Sequence, residues 1–184
     1  MLKTKKEIVY IILAGIFITN AITAELIGGK LIQIGPFVLS MGILPWPIVF
    51  ITSDIINDYF GKKGVKFISY TTALFIAYSF LIIYLATLLV PADFWLSVNA
   101  KTGNINDSFS LIFRQGLGII SGSLTAFLIS QLFDAHVFEK IKNRTGNKLI
   151  WLRATGSTLI SQLLDSFLVI GIAFYLFGNW SISQ

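Results

Sequence analysis

At 184 residues, 55% hydrophobic and only 12% charged, with a mean hydropathy of +0.79, the chain carries too much apolar surface for a water-soluble fold of its size. The absence of cysteine excludes a disulfide framework, a thiolate metal site and a thiol nucleophile, and the single histidine, His136, excludes a multi-histidine metal centre within one chain. A formal charge of +5 would suit a nucleic-acid partner, but its distribution assigns it to membrane topology instead.

A helix crossing a bilayer needs roughly 20 apolar residues, and five segments meet that length. The first runs from about Ile8 to Ile27 and the second from Phe37 or Met41 to Phe60. The third runs from Val65 to Val90, the fourth from Phe109 to Phe133, and the fifth from Leu149 to Phe177. The basic residues alternate between the connecting segments. Lys3, Lys5 and Lys6 precede the first span; Lys30 follows it; Lys62, Lys63 and Lys66 follow the second; Lys101 follows the third; Lys140, Lys142, Arg144 and Lys148 follow the fourth; none follows the fifth. This is the positive-inside pattern for an odd number of spans with the N-terminus in the cytoplasm. The fold class is therefore all-α, a polytopic transmembrane helix bundle, with residues 1–184 forming a single transmembrane domain. The first span reads as retained rather than cleaved, because its apolar stretch is too long for a signal peptide and the topology needs it.

Gly28-Gly29-Lys30 and Ile34-Gly35-Pro36 punctuate the first outer loop and suggest a short hairpin between Lys30 and Leu39. Pro45 and Pro47 fall in the outer half of the second span, where a break in the helix would border a cavity or pack as a kink. The tryptophans Trp46, Trp95, Trp151 and Trp180 sit near expected interfaces, as in an aromatic belt, with Trp46 the one beside the expected cavity.

Ionisable groups at membrane depth cost about 2.5–3.5 kcal/mol on insertion scales, so they mark sites or internal pairs. Asp54 and Asp58 are four residues apart on one helix face, with Ser53 and Asn57 beside them. A short repeat links the fourth and fifth spans: Leu128-Ile129-Ser130-Gln131-Leu132-Phe133-Asp134 is matched by Leu159-Ile160-Ser161-Gln162-Leu163-Leu164-Asp165. The topology places Asp165 near mid-membrane and Asp134 at the cytoplasmic end of its span. Asp58 and Asp134 read as interfacial, pairing with Lys62, Lys140 or Arg153; Glu25 reads as a residue of the outer interface and His136 as a loop residue. Gly118, Gly122, Ala126 and Ser130 form a small-residue stripe of the kind that packs helices together.

Three stretches resemble the queuosine precursor transporter family, also called the vitamin uptake transporter family. They are Ile51-Thr52-Ser53-Asp54-Ile55-Ile56-Asn57-Asp58-Tyr59-Phe60-Gly61-Lys62, then Gln131-Leu132-Phe133-Asp134-Ala135-His136-Val137-Phe138, then Trp151-Leu152-Arg153-Ala154-Thr155-Gly156-Ser157-Thr158 followed by Gln162 and Asp165. The resemblance implies an inner-membrane carrier of 7-deazaguanine bases with six spans and a basic tail; this sequence ends at Gln184 after the fifth. The expected substrate-binding set is Asn20, Glu25, Trp46, Asp54, Asn57, Gln131, Asp134, Arg153, Ser157, Gln162 and Asp165. Asp165 or Asp54 would read the guanine-like edge. The expected partners are a modified purine base and the lipid bilayer, not nucleic acid, and a homo-oligomer is compatible with the sequence. No catalytic motif or phosphate-binding loop is present, so neither an enzyme nor a cofactor is expected. Two other readings remain open at this point: a substrate-binding membrane subunit of an ATP-driven vitamin uptake system, and a structural membrane protein whose polar groups only hold helices together.

Overall fold

A computed structural model describes residues 4–98, 103–114, 117–146, 149–169 and 171–172. Lys3, Lys101, Lys148, Trp180 and the far end of the fifth expected span, to Phe177, lie outside the described residues. The chain forms an all-α helix bundle with one small hairpin. Helix α1 (Lys5–Gly28) starts at a capping box: Thr4 Oγ1 accepts from the Glu7 amide, and the Thr4 amide donates back to Glu7 Oε2, both at 3.2 Å. Strands β1 (Leu31–Ile34) and β2 (Phe37–Ser40) then form the expected hairpin, with Leu31 opposite Ser40 and Ile34 opposite Phe37. Gly35, at φ 59°, takes the first turn position, where two-residue hairpins require a positive φ. Ser40 Oγ donates to the Gly28 carbonyl at 2.7 Å and ties the hairpin to the end of α1.

After a 3₁₀ turn at Met41–Ile43, helix α2 occupies Trp46–Leu88. The second span therefore begins later than the hydropathy suggests, because residues 37–40 are strand. Pro45 caps α2 and Pro47 lies in its first turn, where a missing N–H costs nothing, so neither kinks a span. A straight 43-residue helix would be about 65 Å long, twice the roughly 30 Å hydrocarbon core. The helix is broken at Gly61 (φ 71°, ψ 177°), which joins the second and third spans directly, without the loop expected there. Two short helices follow, α3 (Asp93–Val98) and α4 (Ile105–Phe113). Helix α5 (Leu117–Thr145) and helix α6 (Ile150–Val169) complete the bundle. The fourth span is thus displaced from the expected Phe109–Phe133. Phe109–Phe113 belong to α4, which ends at Arg114, and α5 continues well past Phe133, placing His136 on a helix instead of in a loop.

The bundle buries polar side chains beside an apolar core and exposes many large apolar ones. Ser53, Asn57, Thr72, Gln131, Asp134, Arg153 and Ser161 are buried, whereas Ile12, Leu74, Leu163 and Phe167 are exposed. Apolar side chains outside and polar side chains inside are the arrangement a bilayer selects, since lipid cannot hydrogen-bond a polar group. Among the described residues, helices α1 and α2 are long and apolar enough to cross a membrane. Helices α5 and α6 carry more polar residues, and Gln131, Asp134, Arg153 and Ser161 of this pair are buried. Phe17 and Ala21 of α1 pack with Val49, Ile56, Val65 and Ile68 of α2 and Phe127 of α5 in the apolar core. The small-residue stripe is partly visible: Gly122, Ala126 and Ser130 are buried in the packed face of α5.

The Lys-rich segments gather at one end. Lys6 lies over the Phe60 ring at 5.3 Å, Tyr10 donates to the Gly64 carbonyl at 2.9 Å, and Lys62 Nζ meets His136 Nδ1 at 2.7 Å. Gly61 sits at the centre of this end in a conformation open essentially to glycine only. An added Cβ would meet nothing within 4 Å, so Gly61→Ala is expected to cost only its backbone strain, about 1–3 kcal/mol. Thermal unfolding of the detergent-purified variant measures this, and an unchanged midpoint would show that the bend tolerates an L-residue.

Candidate functional site

Three helices line a cavity in the bundle. Helix α2 contributes Trp46 and Phe50; α5 contributes Phe127, Ser130 and Gln131; α6 contributes Gln162 and Asp165. The cavity measures about 100 Å³, smaller than the roughly 300–1,000 Å³ of sites that enclose drug-sized ligands, so a bicyclic ligand enters only if a wall moves. Its aromatic side is ordered by ring contacts. Trp46 stacks on Phe50 at 5.7 Å and 13°, and leans against Phe127 at 5.8 Å. Its polar side is supplied by the two repeat copies: Ser130 and Gln131 from one, Gln162 and Asp165 from the other.

Buried hydroxyls in this bundle mostly satisfy themselves on their own helix. Ser69 donates to the Val65 carbonyl, Thr52 to Ile48 and Ser157 to Ala154. Ser130 does not: its buried Oγ completes no hydrogen bond of good geometry among the described residues, although it lies close to the Asp165 carboxylate. Thr72 Oγ1 also lacks one among the described residues. Gln131 is held by Ser53 Oγ, which accepts from its side-chain amide and aims it from α5 toward α2.

The expected site residues divide into three groups. Trp46, Gln131, Gln162 and Asp165 line the cavity. Asp54, Asn57, Asp134 and Ser157 form a second polar layer toward the Lys-rich end. In it Asp134 is buried, not interfacial, because α5 extends well beyond it; its Oδ1 accepts from Ser161 Oγ at 3.0 Å, and Ser157 and Thr158 face the same carboxylate. Asn57 Nδ2 donates to the Ala135 carbonyl at 3.2 Å. Asp54 lies within electrostatic reach of Asp134 and Arg153, and its Oδ1 has no hydrogen-bond partner among the described residues. Asn20, Glu25 and Arg153 make up the third group and do not line the cavity, although Glu25, part-buried instead of lying at an interface, is within electrostatic reach of Asp165. Asn20 bonds the Ile16 carbonyl, and Glu25 receives Ser123 Oγ at 2.8 and 2.7 Å on its two oxygens.

Arg153 closes the Lys-rich end. Its Nη2 meets Asp58 Oδ1 at 2.6 Å, its Nη1 donates to the Gly146 carbonyl at 2.9 Å, and its guanidinium lies 5.3 Å from the Phe138 ring centroid. Lys142 also reaches Asp58 Oδ1, at 2.8 Å. Asp58 thus pairs with Arg153 as expected, and with Lys142 instead of Lys62 or Lys140, because the extended α5 brings Lys142 beside it. Sequence reasoning passed over Phe50, Phe127 and Ser130 as site residues. Phe50 lies one helical turn from Trp46, and Ser130 stands next to Gln131 in the repeat; both signals were present in the spacing.

The family model described as "Putative vitamin uptake transporter" matches residues 40–184. The chain is 28% identical over 149 residues to a Bacillus subtilis (strain 168) protein described as "Probable queuosine precursor transporter". That alignment covers 79% of this chain and 60% of the relative, so the chain spans well under the relative's full length. No solved structure matches the chain.

Proposed function

This chain belongs to the vitamin uptake transporter family, and from that premise we propose that it is an inner-membrane carrier of queuosine precursors, 7-deazaguanine bases taken up for tRNA modification. The observation that carries the reading is the pairing of an aromatic wall with a carboxylate and two primary amides in one cavity at membrane depth. A 7-deazaguanine presents N1–H and the 2-amino group as adjacent donors, and the Asp165 carboxylate accepts both at once. The amides of Gln131 and Gln162 donate to the carbonyl oxygen and accept from a remaining N–H. Trp46, Phe50 and Phe127 offer faces on which a planar base stacks, which is favourable for any base and so adds affinity without selectivity. The hydrogen-bonding edge supplies the selectivity against adenine, which presents a different order of donors and acceptors. With the Lys-rich end in the cytoplasm, as the positive-inside rule orients it, the Arg153–Asp58 cluster stands on the cytoplasmic side of the bundle.

Ligand binding confined to the folded state raises apparent stability by RT ln(1 + [L]/Kd), about 2.7 kcal/mol at a hundredfold excess over Kd. Detergent-purified protein is expected to melt higher with a 7-deazaguanine base and not with adenine. Folded protein that shows no shift at millimolar base would remove the support for this substrate class.

A further inference from the structure

The two repeat copies do more in space than in sequence. Helices α5 and α6 run antiparallel, since Arg153 meets Gly146 near one end of the pair and Ser161 meets Asp134 further along. In such a pair, four residues backward on α5 correspond to four residues forward on α6. The step from Asp134–Ser161 therefore leads to Ser130–Asp165, and those two residues do face each other across the cavity. Each serine opposes the other copy's aspartate. The two Ser-Gln-x-x-Asp copies are related by an approximate two-fold axis that passes between the helices, and they build two corners of the same chemistry.

The corners differ in state. At Ser130–Asp165 the serine hydroxyl lies close to the carboxylate without completing a hydrogen bond of good geometry, and both residues line the cavity. At Asp134–Ser161 the hydroxyl closes on the carboxylate at 3.0 Å. Helix packing alone does not require this closure, because Ser161 Oγ already reaches the Thr158 carbonyl of its own helix at 3.0 Å. Beside the closed corner stands Asp54 with an unpartnered buried oxygen, and its neighbour Ser53 holds Gln131, a wall of the open corner. A carboxylate, a second acceptor and a hydrogen-bonded link to the first cavity are thus assembled beside one another.

We infer that the Asp134–Ser161 corner, with Asp54, is a second substrate station that a planar heterocycle with adjacent ring N–H and amino donors occupies after leaving the Asp165 corner. The inference rests on the transport reading above. Repeats of inverted orientation with a site at their interface are a general way to build alternating access, because either corner can close while the other opens.

The chain contains no cysteine, so Ser130→Cys and Ser161→Cys each introduce a unique thiol. Both variants, reconstituted full-length in liposomes, are labelled with a small methanethiosulfonate with and without a 7-deazaguanine base, adenine serving as control. At base ten times above Kd the two stations together are occupied roughly nine-tenths of the time, so labelling is expected to slow at both positions, by up to about tenfold at the one that holds the base longer. Protection of Ser130→Cys with none at Ser161→Cys would overturn the second station and leave the transport reading standing. Protection at neither position, together with no base binding by the wild-type chain, would overturn the transport reading itself. Should the Ser161→Cys thiol stay unlabelled throughout, uptake by Asp134→Asn decides. A folded variant is expected to lose roughly tenfold or more, the scale of deleting a charged hydrogen-bond partner, and wild-type uptake would overturn the inference.

Discussion

Asp165→Asn is expected to weaken base binding by roughly 10- to 150-fold, the equivalent of about 1.5–3 kcal/mol for a hydrogen bond to a charged group. The substitution keeps the shape of the side chain and removes one of two acceptors. The amide nitrogen it introduces then points N–H groups at the N–H groups of the ligand, so the loss includes a repulsive contact as well as a missing bond. Among the described residues Asp165 is the carboxylate that lines the cavity, while Glu25 and Asp134 stand behind it and each accept a serine hydroxyl. Burying a neutral amide costs less than burying a carboxylate, so the ligand-free variant should melt no lower than the wild type. This separates lost recognition from lost folding. A wild-type Kd in Asp165→Asn, measured by titration calorimetry in detergent, would move the recognition edge elsewhere in the bundle.

The largest effect on stability is expected at Asp58. Arg153 is 1% exposed, and its guanidinium depends on Asp58 Oδ1 and the Gly146 carbonyl. Removing one partner of a buried ion pair strands the other charge, at about 3–5 kcal/mol. Asp58→Ala does this to Arg153. Lys142→Ala does not, because Lys142 is 30% exposed, Asp58 keeps Arg153, and a partly solvated pair contributes about 1 kcal/mol or less. Asp58→Ala should therefore destabilise the protein far more than Lys142→Ala in parallel melts. Equal effects would mean that Lys142 and not Arg153 sets the charge balance at this end. Because the cluster ties the bend at Gly61 to the facing ends of α5 and α6, its loss should also loosen the link between the repeat helices and the rest of the bundle.

Much of this protein is legible in its sequence, for physical reasons that act locally. Hydropathy and the alternation of basic residues reveal the crossing segments, because bilayer thickness and membrane charge act on every span separately. Gly35-Pro36 marks the hairpin because few residues allow that turn. The candidacy of Asp165, Gln162 and Gln131 is also visible, since a polar group at membrane depth is costly, and the fold brings all three to one cavity. What hydropathy cannot set is where a helix starts within an apolar run. Phe37–Ser40 is apolar enough for a span yet pairs as a strand, and Phe109–Phe113 folds as a separate helix. The length of α5 had a further consequence that only the tertiary structure decided. Its extension past Phe133 buries Asp134 opposite Ser161 and brings Lys142 to Asp58. Which residues of two antiparallel helices face each other depends on their register, and register is fixed by packing between segments and not by any one of them. The sequence by itself therefore determined the membrane bundle and its chemical inventory. The fold decided that two copies of one short repeat stand face to face, one corner open around Asp165 and the other closed on Asp134.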